Sequence, residues 1–157
     1  MARLRIGRGT LAASIALLMA GFLVVSTVPD RADARQRTGR RVQMVNLTND
    51  DRREHDRRAL GFETRVSRFA KEHSAAMARK GYIFHSTEAQ LRRALGDVNW
   101  SIGGENVGVG GSLKSLEEAF MASKLHRENI LRKSFDHMAV GIVREDDALW
   151  ITVIFYG

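Results

Sequence analysis

Apolar residues recur at helical spacing near the middle of the chain. One face of this predicted helix carries side chains three or four positions apart, namely Val66, Phe69, Ala70, His73 and Met77. Gly81 follows the last of them and is expected to end the helix. The preceding stretch, from Met44 to about Leu60, predicts a first helix that stops at Gly61 and whose middle is almost entirely charged.

The end of the chain has the alternating, β-branched pattern of strands. Residues 139–143 and 149–155 are separated by the charged tetrapeptide REDD, which predicts a β-hairpin. Helices and strands therefore both occur, and the strands cannot all be joined by parallel crossovers. This order predicts an α+β fold in which a small sheet is sandwiched between helix layers.

Weaker elements are predicted between the long helix and the hairpin. Val107 and Val109 alternate with glycines, as in a short strand that neighbouring backbone approaches closely. The motif SLEE, which starts at Ser115, fits a capping box at the start of another helix. The inward-facing residues of that helix are expected to be Leu116, Ala119 and Phe120. Two short helical segments are expected, at residues 87–95 and 126–131.

The first 34 residues have the pattern of a secretory signal peptide. Arginines at positions 3, 5 and 8 precede the uncharged stretch Leu11–Val28, and an Ala-Asp-Ala sequence then ends at Ala34. Cleavage is expected after Ala34, which leaves a basic flexible segment, 35–41, a domain over 42–157 and no integral membrane segment. The alternative is a retained anchor, because the apolar stretch as a helix would span roughly 27 Å, close to the thickness of a bilayer core.

Composition excludes several functional classes. The chain has 157 residues, no cysteine and a formal net charge of +7. Disulfide scaffolds, thiol nucleophiles and cysteine-based zinc sites are therefore excluded. The positive charge persists without residues 1–34, so attraction to anionic lipids or cell-surface polymers is expected. No recognition motif accompanies the charge, and no nucleic-acid partner is expected.

Histidines are the first candidates for chemistry. His73 lies on the apolar stripe and is expected to be a hydrogen-bonded core residue, His55 is expected on the surface, and His137 could be either. No two histidines have the spacing of a zinc helix, and neither a nucleotide-binding glycine motif nor a serine-hydrolase motif is present. The remaining polar candidates are His85, Glu105 and His126, which spacing alone supports only weakly.

Three segments together resemble bacterial members of the CAP superfamily (cysteine-rich secretory proteins, antigen 5 and pathogenesis-related 1 proteins), whose domain is also called the SCP domain. The segments are HSAAMARKGYIFHS at 73–86, GGENVGVG at 103–110 and AFMASKLHRENILRKSFDHMAVGIV at 119–143. The terminal LWITVIFYG is similar to the family's closing strand, so the resemblance covers roughly residues 42–157. It implies an α-β-α sandwich with a small central antiparallel sheet.

The resemblance also implies a cleft in which histidines and acidic residues converge. His85, Glu105 and His126 match family positions, Asn106 is expected to tie down the backbone beside the glutamate, and Ser123 stands where the family has a second acidic residue. Two imidazoles and one carboxylate could hold a divalent metal such as zinc and leave a position open for water. The alternative is that Glu105 and one histidine hydrogen-bond each other and brace two loops.

For function, the resemblance favours a secreted or envelope-associated binding module without enzymatic activity, whose ligand is lipid-like or belongs to the cell surface. The alternative is a metal-dependent hydrolase in which His85 and His126 hold the ion while Glu105 ligates it or acts as general base. A third interpretation is an envelope-tethered domain held by an uncleaved Leu11–Val28 helix.

Overall fold

The computed structural model describes residues 31–96 and 98–157. The helices and strands follow in the order α1 (Arg31–Glu54), β1 (Gly61–Phe62), α2 (Thr64–Lys80), α3 (Glu88–Leu95), β2 (Gly103–Gly110), α4 (Leu113–Ala122), α5 (Lys124–Ile130), β3 (His137–Glu145) and β4 (Ala148–Tyr156). The expected apolar anchor lies outside the described residues, as does the expected signal peptide except for its last four positions. Within the described ranges, no helix is both long and apolar enough to cross a membrane.

The four strands form one sheet in the order β1-β3-β4-β2. Strands β3 and β4 form the predicted hairpin, and β2 pairs with the other edge of β4, both in antiparallel fashion. The hairpin turns through Asp146 and Asp147, whose φ angles of 45° and 61° suit a two-residue turn. The expectation of a purely antiparallel sheet needs one correction, because Gly61 and Phe62 pair in parallel with β3. Two residues are too few to show a strand pattern in sequence.

Alternate residues of β3 and β4 face different helix layers. Val140 and Val153 are cross-strand partners, and both pack in the hydrophobic cluster that includes residues of α1 and α4. Their neighbours Ala139 and Ile154 pack on the other side, in the cluster formed with α2 and α3. Because successive side chains of a strand point to opposite faces, the sheet is covered on both sides. The α+β class and the α-β-α layering are thus confirmed.

Helix α2 lies so close to the sheet that only glycine fits beneath it. A Cβ atom added to Gly141 would lie 2.0 Å from the backbone carbonyl carbon of Ala70. Beside this contact, the buried hydroxyl of Ser74 lies 2.9 Å from Thr152 Oγ1 and 3.1 Å from the carbonyl oxygen of Gly141. The helix ends at Gly81, which has a left-handed φ of 71°, as predicted.

Helix α1 differs from its sequence prediction at both ends. The segment 35–41, which the sequence predicts to be flexible, is helical and belongs to α1. The helix ends at Glu54, because Asp56 adopts a left-handed φ of 55° that cannot continue the helix. Gly61, expected to stop this helix, lies in β1 instead.

Helix α4 begins earlier than the predicted capping box. Its cap is Ser112, whose hydroxyl accepts a hydrogen bond from the backbone N–H of Ser115 at 3.1 Å, and Leu113 extends the buried face. Two of the three residues expected to face inward are buried, but Ala119 is exposed and Glu117 is buried instead. The remaining elements, α3, α5 and β2, lie close to their predicted positions.

Candidate functional site

The centre of the site is a buried carboxylate on β2. The side chain of Glu105 is only 3% exposed, and its two oxygens have three hydrogen-bond contacts. Oε1 accepts from the backbone N–H of Ser86 at 2.8 Å and lies 2.9 Å from Nδ1 of His85, while Oε2 accepts from the Ser86 hydroxyl at 2.6 Å. A carboxylate removed from water needs such partners. These contacts tie β2 to the loop between α2 and α3.

The loop that carries His85 is held in place by His73. Nε2 of His73 lies 2.8 Å from the carbonyl oxygen of Phe84, and the two rings meet edge to face with centroids 4.9 Å apart. The prediction that His73 is a hydrogen-bonded core residue is confirmed, since the residue is only 6% exposed. The side chain of His85 is 59% exposed, so most of its ring is accessible to a ligand.

His126 approaches the same region from α5. Its ring is half-buried against Phe120, with centroids 5.0 Å apart in an edge-to-face arrangement. Burial lowers the pKa of the His126 imidazole below its ordinary value of 6.5, and the charge of nearby His85 lowers it further. The structure therefore brings the three predicted residues together, His85 and Glu105 by direct contact and His126 within electrostatic reach of His85.

Two asparagines join α5 to β2 behind the carboxylate. The buried Asn106 donates from Nδ2 to the carbonyl oxygen of His126 at 3.1 Å, and its Oδ1 accepts from Asn129 Nδ2 at 2.9 Å. Asn129 also donates to the carbonyl oxygen of Glu105 at 3.3 Å. Asn106 thus holds the backbone of α5 at His126, while Asn129 holds the backbone at Glu105. Ser123 is half-buried at the junction of α4 and α5, where its side chain makes no capping hydrogen bond.

The arrangement around Glu105 fits a hydrogen-bonded pair better than a zinc site. Both carboxylate oxygens already have partners, and Nδ1 of His85 faces the carboxylate. In the part of the chain that the structure describes, no three His, Asp or Glu side chains are grouped so that they could hold a metal ion. In the structure, Glu105 and His85 form the hydrogen-bonded pair of the alternative interpretation, which joins two segments of the chain. A zinc site of His85, His126 and Glu105 stays a prediction.

The glycines around Glu105 allow close packing, but by side chains rather than by the neighbouring backbone that the sequence predicted. A Cβ atom on Gly104 would lie 2.8 Å from Asn129 Oδ1, and one on Gly108 would lie 3.1 Å from the ring of Phe120. Both distances are shorter than ordinary van der Waals contact, so larger residues would push α4 and α5 away from the strand. The glycine-rich stretch is thus explained by packing, without a bound phosphate group.

Sequence reasoning missed two residues that complete the site, Ser86 and Asn129. Ser86 provides two of the hydrogen bonds to the carboxylate, and Asn129 holds the strand backbone. Both lie inside the segments that carry the family resemblance, next to His85 and near His126. Their polar side chains, next to or near the predicted site residues, were the available sequence signal for a role in the site. Their hydrogen-bond partners on β2 lie far away in sequence.

Comparison with known proteins agrees with this architecture. The model of the cysteine-rich secretory protein family (CAP) matches residues 45–155. The uncharacterized protein YkwD of Bacillus subtilis (strain 168) is 29% identical over 114 residues, a match that covers 69% of this chain and 44% of YkwD. The chain therefore spans less than half the length of this curated relative.

Solved structures show the same fold at low identity. An extracellular protein containing a SCP domain from Bacillus anthracis matches with a TM-score of 0.68 and 23% identity, covering 81% of this chain and 43% of that protein. An outer surface protein from Borrelia burgdorferi matches with a TM-score of 0.62 and 15% identity, covering 81% of this chain and 92% of that one. At these identities the matches support the fold alone.

Proposed function

This chain belongs to the cysteine-rich secretory protein (CAP) family, and on that premise we propose that it is a binding module outside the cell, without enzymatic activity. Its ligand is lipid-like or part of the cell surface, and it binds at the cleft formed by His85, Glu105 and His126. The observation that carries this proposal is that both oxygens of the only acid of the trio already have hydrogen-bond partners, while exposed apolar residues adjoin both histidines in sequence.

The state of Glu105 argues against an acid–base role. A general base needs a lone pair within hydrogen-bond reach of its substrate. Glu105 is almost inaccessible, and Ser86 and His85 take up both of its oxygens. Because the pKa of His126 is lowered, its imidazole is neutral at pH 7. The cleft thus offers one exposed and one half-buried imidazole as hydrogen-bonding groups for a ligand.

Exposed apolar residues adjoin the two histidines in sequence. Tyr82 and Ile83, shortly before His85, are 56% and 49% exposed, and Leu125, directly before His126, is 73% exposed. Exposing large apolar side chains to water costs free energy, so these residues are candidates for a ligand surface. Nζ of Lys80 lies 4.4 Å from the centroid of the Phe84 ring, which adds a positive charge that suits an anionic headgroup.

Three observations support a location outside the cell. Two of the matched structures are described as an extracellular and an outer surface protein. The sequence begins with the pattern of a signal peptide, and the chain is basic, as suits an anionic surface. Mass spectrometry of the exported protein tests this: an N-terminus at Arg35 is expected, whereas retention of the Leu11–Val28 stretch would favour the tethered alternative.

Binding is tested with a fluorescent fatty acid and with phosphatidylglycerol vesicles. Ile83→Ser and Leu125→Ser should each weaken binding about tenfold, since loss of one buried aliphatic side chain removes roughly 1.5–3 kcal/mol. Val42→Ser is the matched control, because Val42 is similarly exposed at 42% but lies on α1, and it should leave binding unchanged.

Two results would overturn the proposal. The first is that neither lipid probe binds the unaltered protein. The second is equal binding by all three variants, which would show that the apolar residues beside the cleft are not used. Hydrolysis of an ester that requires added zinc and is lost in His126→Ala would instead establish the hydrolase alternative.

A further inference from the structure

A second pocket lies between α1 and α4 and shares no residue with the cleft. Its volume is about 410 Å³. Helix α1 contributes Leu47, Asp51 and Glu54 to its wall, and α4 contributes Glu117 and Met121. Carboxylates and apolar side chains therefore line the same space.

Glu117 is the unusual member of this wall. The residue is 3% exposed, and neither of its carboxylate oxygens has a hydrogen-bond partner among the described residues. Thr48 and Asp51 lie beside it and act on its pKa, which the contact with Thr48 lowers and the contact with Asp51 raises. The hydroxyl of Thr48 likewise has no hydrogen-bond partner of good geometry among the described residues. A buried polar group without a partner is costly, and in native proteins it calls for an explanation.

The charges around the pocket are mostly negative. Two carboxylates at its rim are neutralised by neighbours, since Asp50 pairs with Arg53 and Glu118 lies 3.8 Å from Nζ of Lys114. Deeper in the wall, Glu54 and Glu117 form no ion pair with a lysine or arginine among the described residues. Burial raises the pKa of Asp51, and the imidazole of His55 near it lowers that pKa. A cation entering the pocket would therefore find both an attractive field and unused acceptors.

We propose that this pocket binds a protonated alkylamine, with its ammonium group against Glu117 and Asp51 and its carbon chain between Leu47 and Met121. The ammonium group has three N–H donors, enough to hydrogen-bond to both unused oxygens of Glu117. The volume is far larger than a single metal ion needs, and the leucine and methionine side chains suit methylene groups rather than a hydrated ion. The amine could be a free small molecule or a lysine side chain of another protein.

Binding should be linked to release of a proton. Burial raises the pKa of Glu117 to about 8, with Asp51 adding to the shift, so the carboxyl group holds a proton at neutral pH. The other charged groups that face it, Asp50, Asp51 and Glu54 from α1 and Lys114 and Glu118 from α4, leave a net negative surrounding. An ammonium ion would stabilise the ionised carboxylate, and its proton would pass to the buffer.

Calorimetric titration tests the proposal with two probes, 1,4-diaminobutane and an N-acetylated, C-amidated Gly-Lys-Gly peptide. At pH 7 at least one probe should bind saturably, and its heat should change with the ionisation enthalpy of the buffer. Glu117→Gln should weaken binding about tenfold or more, because a hydrogen bond to a charged group is lost. Glu128→Gln, at an exposed position on α5 outside the pocket, should bind as the unaltered protein does.

The pattern of results shows which source of the amine binds and whether the proposal holds. Binding of diaminobutane alone indicates a small-molecule ligand, and binding of the peptide alone indicates a lysine side chain. Should thermal unfolding show that Glu117→Gln does not fold, Asp51→Asn replaces it and must show the same weakening. No saturable binding of either probe, unchanged affinity in the variant, or binding of calcium or zinc ions only would each overturn the proposal.

Discussion

Nδ1 of His85 lies 2.9 Å from Oε1 of Glu105, and this contact joins an exposed imidazole to a buried carboxylate. The exposed fractions of the two side chains are 59% and 3%. Such a pair holds its histidine in one orientation at the surface, because the buried partner is fixed by Ser86 and cannot move with it. The site is thus a positioned imidazole presented to solvent.

Replacing Glu105 by glutamine should loosen this part of the fold. The amide group of Glu105→Gln keeps the shape but must direct a donor towards Ser86 or His85, where the carboxylate has only acceptors. The free energy of unfolding should fall by about 1–3 kcal/mol in urea denaturation. Glu128→Gln, at an exposed position on α5, is the control. Equal stabilities would show that the carboxylate is not important for the fold.

Arg52 should be among the most important residues for stability. It is 1% exposed, and its guanidinium donates to the carbonyl oxygens of Arg58, Ile130 and Arg132 at 2.7, 2.5 and 3.1 Å. Arg52→Met leaves these carbonyl groups without partners, so the free energy of unfolding should fall by about 3 kcal/mol or more. The neighbouring Arg53→Met removes only an exposed contact with Asp50 and should change little. Similar denaturation curves for both variants would contradict this role.

Gly141 should tolerate no side chain. The added methyl group of Gly141→Ala would overlap the backbone of α2 at Ala70 and Lys71, which cannot yield like a flexible side chain. We expect a loss of about 4 kcal/mol or more, or failure to fold, measured as soluble yield and melting temperature. Gly111→Ala is the matched control, since nothing lies within 4 Å of its added Cβ atom. A melting temperature close to that of the control would disprove the close approach of α2 to the sheet.

The stability of the protein should fall as the pH rises from about 4.5 to 8. Burial raises the pKa of Glu117 from 4.5 to about 8, so across this range the folded protein keeps a proton that the unfolded chain has released. One proton of difference lowers the free energy of unfolding by at most about 1.4 kcal/mol per pH unit. Urea denaturation between pH 5 and 9 measures this slope.

The variant Glu117→Gln shows whether the Glu117 carboxyl group causes the pH dependence of stability. Because glutamine does not titrate, the variant should lose this part of the slope and be more stable than the unaltered protein at pH 8 and above. Glu118→Gln should keep the slope, since that side chain is exposed and pairs with Lys114. Parallel curves for the unaltered protein and Glu117→Gln would show that another group causes the pH dependence.

Elements with a local signal could be predicted from the sequence. The stripe of α2 and its end at Gly81 follow from helical periodicity and from the conformational freedom of glycine, and the hairpin follows from alternation around a charged turn. The family resemblance named His85, Glu105 and His126, and the structure brings them together. The spacing of these residues in the sequence could not identify them as a site, because they lie on three different segments.

Features that depend on distant partners could not be predicted in this way and follow from the packing of the chain. The burial of Glu117, the short parallel strand at Gly61 and the pairing of Glu105 with Ser86 have no sequence pattern, since each depends on what another segment places opposite it. Arg52 is the clearest example. It lies in a highly charged run, which is typical of a solvent-exposed helix face, yet its guanidinium donates to the carbonyl oxygen of Ile130. Periodicity records which face of a helix is buried, but the partners of a buried polar group are set by the packing of the whole chain.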